Sequence, residues 1–243
     1  MVKFLLALLV ATTFLSCNTS LTDPQKIIDN AIKASGGEKY INATIAFDFR
    51  DRHYIAQREG WKYSYERIFK ESENTTHDFL TNDGFRREIN HTAVQVADTM
   101  KTKYTSSINS VIYFALLPYG LNDDAVKKRF LGETTIDNQG YYTIEITFNQ
   151  EGGGEDYEDV FIYWINTKDF AIGYMAYSYE ESDGVGLRFR KAYNARTVNG
   201  ILFLDYLNLK PKGIPQITEL VELYKKGELE ELSRIELRNI QVQ

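Results

Sequence analysis

Apolar and polar residues alternate with a period of two along most of this chain, and only a few stretches repeat at helical spacing. Residues 44–58 alternate as one strand, and Trp61, Tyr63 and Tyr65 continue the pattern on one face of a second. Successive strand side chains point to opposite faces, and aromatic and β-branched residues suit a half-buried pleated surface. The break at Glu59-Gly60 predicts a hairpin. Further turn signals stand at Asn82-Asp83-Gly84, residues 137–140, Asp183-Gly184, Asn199-Gly200 and Lys226-Gly227. Connections this short require antiparallel neighbours. Asn199-Gly200 is the strongest of them, because both residue types tolerate positive φ and Val198 and Ile201 can pair across a two-residue turn.

Three segments read as helical. Asp23-Pro24 supplies an N-cap and a proline at the first helical position, and Ile27, Ile28, Ala31 and Ile32 then share one face until Gly36-Gly37. Residues 100–116 place Tyr104, Ile108, Val111, Ile112 and Ala115 at helical spacing before Pro118. Residues 122–132 open with Asp123 and Asp124, close with Lys127, Lys128 and Arg129, and reach Gly132. That distribution suits a helix dipole and predicts a short helix.

Strands do not alternate regularly with helices, which disfavours a doubly wound sheet or a (β/α) barrel. The class that remains is α+β, mainly β, with a curved antiparallel meander around a few helices. Val160-Phe161-Ile162-Tyr163-Trp164-Ile165 is apolar on both faces, so this strand must be covered from both sides.

The amino terminus adds an address. Lys3 precedes an apolar run from Phe4 to Val10, and Leu15-Ser16 leads into Cys17, the order of a lipoprotein signal. A bilayer span needs about 20 apolar residues, and Thr12 and Thr13 interrupt this run too early. The expected organisation is a signal in residues 1–16, a lipidated tether in 17–23 with the acyl chains on Cys17, and one globular domain in 24–243. Cys17 is the chain's one cysteine, so the body after it has no thiol for disulfides, zinc or nucleophilic catalysis. The net charge of −6, with no concentrated basic stripe, makes nucleic acid an unsuitable partner. A short polar tether without an early acidic run favours the outer membrane, facing the periplasm, by analogy with lipoprotein sorting signals.

Residues 108–123, centred on Leu117-Pro118-Tyr119-Gly120, resemble a family of bacterial exported proteins and lipoproteins of unknown function, of Bacteroidota type. Gly152-Gly153-Gly154-Glu155-Asp156 ahead of Phe161-Ile162-Tyr163-Trp164, and Leu187-Arg188-Phe189-Arg190, carry the same resemblance. More distantly, an opening helix ending at Gly36-Gly37 and followed by a long meander resembles the LolA/LolB lipoprotein-carrier scaffold. That resemblance implies an unclosed half-barrel wrapped around helices, with an apolar cavity for acyl chains.

Candidate chemistry is sparse. Trp61, Tyr63, Tyr142, Trp164, Tyr174 and Tyr177 can line a cavity or simply fill a core. Arg188 and Arg190 share a strand face and can bind a carboxylate or phosphate, or pair with Glu155, Asp159 or Glu180. Glu155, Asp156 and Asp159, beside three glycines, can offer oxygens to a hard cation, although their spacing matches no standard loop. His53, His77 and His91 lack zinc-hydrolase spacing and read as strand residues, and no Gly-x-Ser-x-Gly elbow occurs. No cofactor is expected. The leading expectation is a non-enzymatic envelope lipoprotein that binds a lipid or acyl chain in a sheet cavity. The alternatives are a hydrolase built on the acidic loop and the arginine pair, and an envelope protein-interaction module.

Overall fold

The computed structural model describes residues 21–152, 157–181 and 184–243. Helix α1 (Pro24–Ser35) starts where the Asp23 carboxylate accepts from the backbone N–H groups of Gln25 and Lys26, and it buries Ile27, Ile28 and Ala31. Gly36 ends it at φ 141°, where a Cβ would stand 3.2 Å from the Ile201 side chain, so both conformation and space call for glycine.

The first sheet holds β1 (Thr44–Phe49), β2 (Arg52–Glu59), β3 (Lys62–Glu71), β4 (Asn74–Thr81), β5 (Gly84–Ile89) and β6 (Thr92–Val94). Residues 44–58 are therefore two strands and not one. They turn at Arg50, whose φ of 57° is a conformation that its residue type does not advertise. After helix α2 (Asp98–Ala115) the second sheet holds β7 (Val126–Ile136), β8 (Gln139–Phe148), β9 (Val160–Asn166), β10 (Ile172–Glu181), β11 (Gly184–Val198) and β12 (Ile201–Lys210). Helix α3 (Leu220–Lys225) follows, then β13 (Glu230–Ile235) and β14 (Leu237–Val242).

The strand order is β14-β1-β2-β3-β4-β5-β6 in one seven-stranded sheet and β13-β12-β11-β10-β9-β8-β7 in the other, and each pairing is antiparallel. Only Glu236 separates β13 from β14, so one stretch of chain leaves the second sheet and enters the first. Asp205 secures this corner: its carboxylate accepts from Arg196 Nη2 at 2.9 Å, Asn194 Nδ2 at 2.6 Å and the Leu237 backbone N–H at 3.0 Å. Strands β6 and β7 have a sheet partner on one side only, so the wrap is unclosed. The class is the α+β, mainly β, unclosed meander that the alternation and the carrier-scaffold resemblance imply.

Helix α2 lies inside the curve and touches both sheets. Ile108, Ile112 and Ala115 pack with Phe47, Tyr54, Ala56, Tyr65 and Leu80 of the first sheet, while Tyr113 and Phe114 pack toward β9 and β10 of the second. Beneath the helix, the inner face of the first sheet carries a buried ionic row. Arg67 donates to Asp78 Oδ2 from Nε (2.9 Å) and Nη2 (2.6 Å), and Arg87 Nε donates to Asp78 Oδ1 at 2.5 Å. From α2, Ser107 accepts from Arg67 and the Tyr104 ring lies 3.9 Å from the Arg87 guanidinium carbon. Strand β9 is covered on both faces. Phe161, Tyr163 and Ile165 meet α1 and the residues after α2, and Ile162 and Trp164 meet Leu220 and Val221 of α3.

Three local expectations give way. Residues 122–132 are not a helix: a short turn at 123–125 leads into β7, which already holds residues 126–132. There Arg129 donates to the Glu145 carboxylate across the β7–β8 pair, so the clustered cations answer a cross-strand acid and not a helix end. Lys226-Gly227 is not a hairpin but the cap of α3, with Gly227 at φ 71° and its N–H donating to the Tyr224 carbonyl. His91 sits in the β5–β6 turn at φ 64°, whereas His53 and His77 lie in strands and pair with Asp48 and Glu66.

Candidate functional site

Between the two sheets, alongside α2, lies a cavity of about 780 Å³. Strand periodicity aims its wall inward. In β10, β11 and β12 the residues two apart, Tyr177 and Tyr179, Arg188 and Arg190, Tyr206 and Asn208, share the concave face. The register sets them in rows. Phe161 stands opposite Tyr177, which stands opposite Arg188, and one step along Met175, Arg190, Asn208 and Ser233 follow one another across four strands. The α2 residues Tyr113 and Phe114 form the facing wall.

The floor is aromatic. The Phe161 ring stacks on Tyr177 at 5.5 Å and meets Phe148 edge-on at 5.8 Å, and Phe114 lies 5.4 Å from Tyr177. Arg50, Asn109, Ser110 and Leu232 line the cavity while exposed to solvent, so the space opens along that rim. Tyr113 and Tyr163 join hydroxyls at 3.0 Å. Burial pushes the phenols of Tyr113, Tyr163 and Tyr206 above the ordinary tyrosine range, which keeps them protonated.

Arg190 is the unusual wall residue. It is 7% exposed, its Nη2 donates to the Tyr177 hydroxyl at 2.7 Å, and its guanidinium lies 4.0 Å from the Phe114 ring centroid. Among the described residues its Nε and Nη1 have no hydrogen-bond acceptor, and Oδ1 of Asn208, its cross-strand neighbour, has no donor. Buried polar atoms are satisfied in the great majority of cases, so an orphan donor and an orphan acceptor on paired residues mark this patch.

Of the residues singled out from the sequence, Tyr177, Arg188, Arg190 and Asp159 line this cavity. The others lie elsewhere. Trp61 is 77% exposed in the β2–β3 turn, and Tyr63 packs on Tyr65 in the first sheet. Tyr142 packs on Phe170, deeper in the second core. Trp164 and Tyr174 occupy the outer face of the second sheet under α3, where the Tyr174 hydroxyl donates to Asp137. Cys17, Glu155 and Asp156 fall outside the described residues, and among the described residues no three His, Cys, Asp or Glu side chains gather as a metal site. Phe114, Phe161, Tyr206 and Asn208 were not singled out. Asn208 had a signal, as a polar inward position in the apolar strand Ile201–Lys210.

The profile of a family of unknown function, DUF6503, matches residues 3–237. The chain belongs to this family. It is the kind of family that the motifs around Tyr119, Trp164 and Arg188 suggest. No curated protein matches the sequence. Among solved structures, the chain is similar to a DUF1329 family protein from Desulfovibrio piger, with a TM-score of 0.51 and 11% identity, over 90% of this chain and 93% of that one. A LolA superfamily protein from Nitrosomonas europaea gives 0.46 and 10%, over 92% of each chain. An outer membrane lipoprotein-sorting protein domain from Vibrio parahaemolyticus, so described as putative, gives 0.46 and 7%, over 91% and 94%. At these identities the likeness is one of fold.

Proposed function

We propose that this DUF6503 chain is an exported lipoprotein, held by acylated Cys17 on the outer membrane and facing the periplasm, whose body takes up a lipid or acyl chain. The observation that carries the binding is the cavity: an aromatic-floored space of about 780 Å³ between two sheets, reached from a solvent-exposed rim. Small-molecule sites are concave, mostly apolar spaces of about 300–1,000 Å³ with a few placed polar groups, and this one matches on each count. Burying acyl methylenes there gains about 0.8 kcal/mol each. The order of Lys3, the apolar run and Cys17 supports the anchor, which sets the body beside a source of such molecules. Among the described residues no helix is long and apolar enough to cross a membrane.

The test is binding of a neutral hydrophobic dye, N-phenylnaphthylamine, whose emission rises in an apolar site. Saturable binding to the wild-type protein is expected, with a loss of about tenfold or more in Ser110→Trp, which hangs an indole from the exposed rim into the opening. Absence of saturable binding, or unchanged binding in a folded Ser110→Trp protein, would remove the cavity from the account.

A further inference from the structure

Arg190 is a buried cation in a place that a packed core would give to an apolar side chain. Among the described residues, three of its five N–H donors, those on Nε and Nη1, meet no acceptor, and no carboxylate pairs with it. The contrast within the molecule is direct. Arg67 is also buried and Arg87 partly so, and both share the Asp78 carboxylate. A buried guanidinium without its counter-charge is costly. The Phe114 and Tyr177 rings recover part of that cost, but neither ring is an acceptor for Nε or Nη1.

The surroundings favour an anion as the missing partner. Among the described residues that line the cavity, Asp159 is the one carboxylate, and it makes no ion pair with Arg190. In a low-dielectric cleft, a cation with unfilled donors raises the local concentration of anions. Asn208 fits the same role. Its Nδ2 donates to the Ser233 hydroxyl at 3.1 Å, a group that donates as readily as it accepts. The amide can therefore turn over, take a hydrogen bond from Ser233, and present its own N–H groups beside Arg190. On the other side of Arg190, the Phe114, Phe161 and Phe148 rings supply an apolar run toward β8.

From this arrangement we propose that Arg190, aided by Asn208 and Tyr177, is the head-group anchor of the cavity, and that the occupant is an acyl chain ending in a carboxylate. The proposal rests on the cavity-binding reading and adds to it which end of the ligand goes where. The head meets the guanidinium between β10 and β12, and the chain runs over Phe114 and Phe161. A carboxylate suits the site better than a bulky phosphodiester, because the free donors belong to one guanidinium that is itself 7% exposed.

The experiment titrates the protein, loaded with N-phenylnaphthylamine, with palmitate and with methyl palmitate, at submicellar concentrations. The two share a chain and differ in head charge. Palmitate is expected to bind at least about tenfold more tightly, as a charge-assisted hydrogen bond provides. Arg190→Met, which keeps the apolar stem, is expected to abolish the preference by weakening palmitate alone, and Arg190→Lys to keep part of it. Equal affinity for acid and ester in the wild-type protein would overturn the head-group anchor while leaving cavity binding in place. That comparison needs no variant to fold. A preference that survives in folded Arg190→Met would move the anchor away from Arg190 and overturn the proposal as well. Displacement by neither compound would overturn it together with the reading on which it rests.

Discussion

The guanidinium of Arg190, on β11, lies 4.0 Å from the ring centroid of Phe114, on α2. This contact joins the second sheet to the helix that packs on the first, and it sits on the cavity wall. A desolvated cation over an aromatic face contributes about 2 kcal/mol, and an exposed one about 0.5–1. Phe114→Leu, Arg190→Met and the double variant, compared by urea unfolding, should therefore show a coupling of about 1–2 kcal/mol. Additive effects would mean that the two side chains merely lie near each other.

Asp78 is fully buried, and its single carboxylate is the counter-charge that Arg67 and Arg87 share. Asp78→Asn leaves two cations facing each other beneath α2 with no counter-charge. Removing one partner of a buried ion pair costs about 3–5 kcal/mol, and a loss of that size is expected in chemical denaturation. A change under about 1 kcal/mol would show that water reaches the row.

Asp137 gives a pH signature. Hydrogen bonds from Lys191 and Tyr174, and then from Tyr224 of α3, hold its carboxyl below the ordinary aspartate range. A depressed carboxylate contributes stability that is fully present above its unfolded pKa and lost as pH falls through the folded one. The stability difference between wild type and Asp137→Asn should therefore be constant near neutrality. It should shrink through the ordinary carboxylate range and vanish below the depressed native value. Asparagine tolerates the φ of 48° at this position, so the comparison isolates the charge. A difference that persists at the acid end would assign the effect to turn geometry.

The proposed anchor on Cys17 is directly testable. Cys17→Ser should leave the precursor uncut and abolish incorporation of an alkyne-tagged fatty acid, with the wild-type protein recovered in the membrane fraction. Labelling that persists in Cys17→Ser would place the lipid elsewhere or nowhere.

Local pattern made much of this fold legible. The unbroken apolar run of residues 160–165 requires cover on both faces, and Ile162 and Trp164 on one side, Phe161 and Tyr163 on the other, receive it. Asn199 and Gly200 adopt the positive φ values, 46° and 81°, that their residue types allow. The failures share a cause, which is competition from partners distant in sequence. Arg129 follows Asp123 and Asp124 as a helix-end cation would, yet its charge is claimed by Glu145 on the next strand. The cavity was legible only in part. Tyr177, Arg188 and Arg190 stand out as functional residue types, but Phe114 and Asn208 join them only because α2 and β12 fold onto the same concave face. Trp61 shows the converse, since a large aromatic in a strand-like pattern ends 77% exposed in a turn.

Native mass spectrometry of the protein released gently from envelope membranes tests the central claim most directly. A mass above that of the processed lipoprotein, by one or a few fatty-acyl species that dissociate on organic extraction and are missing from Ser110→Trp, is the predicted result. An unadorned mass in both proteins, with no palmitate taken up on addition, would contradict a ligand-holding cavity.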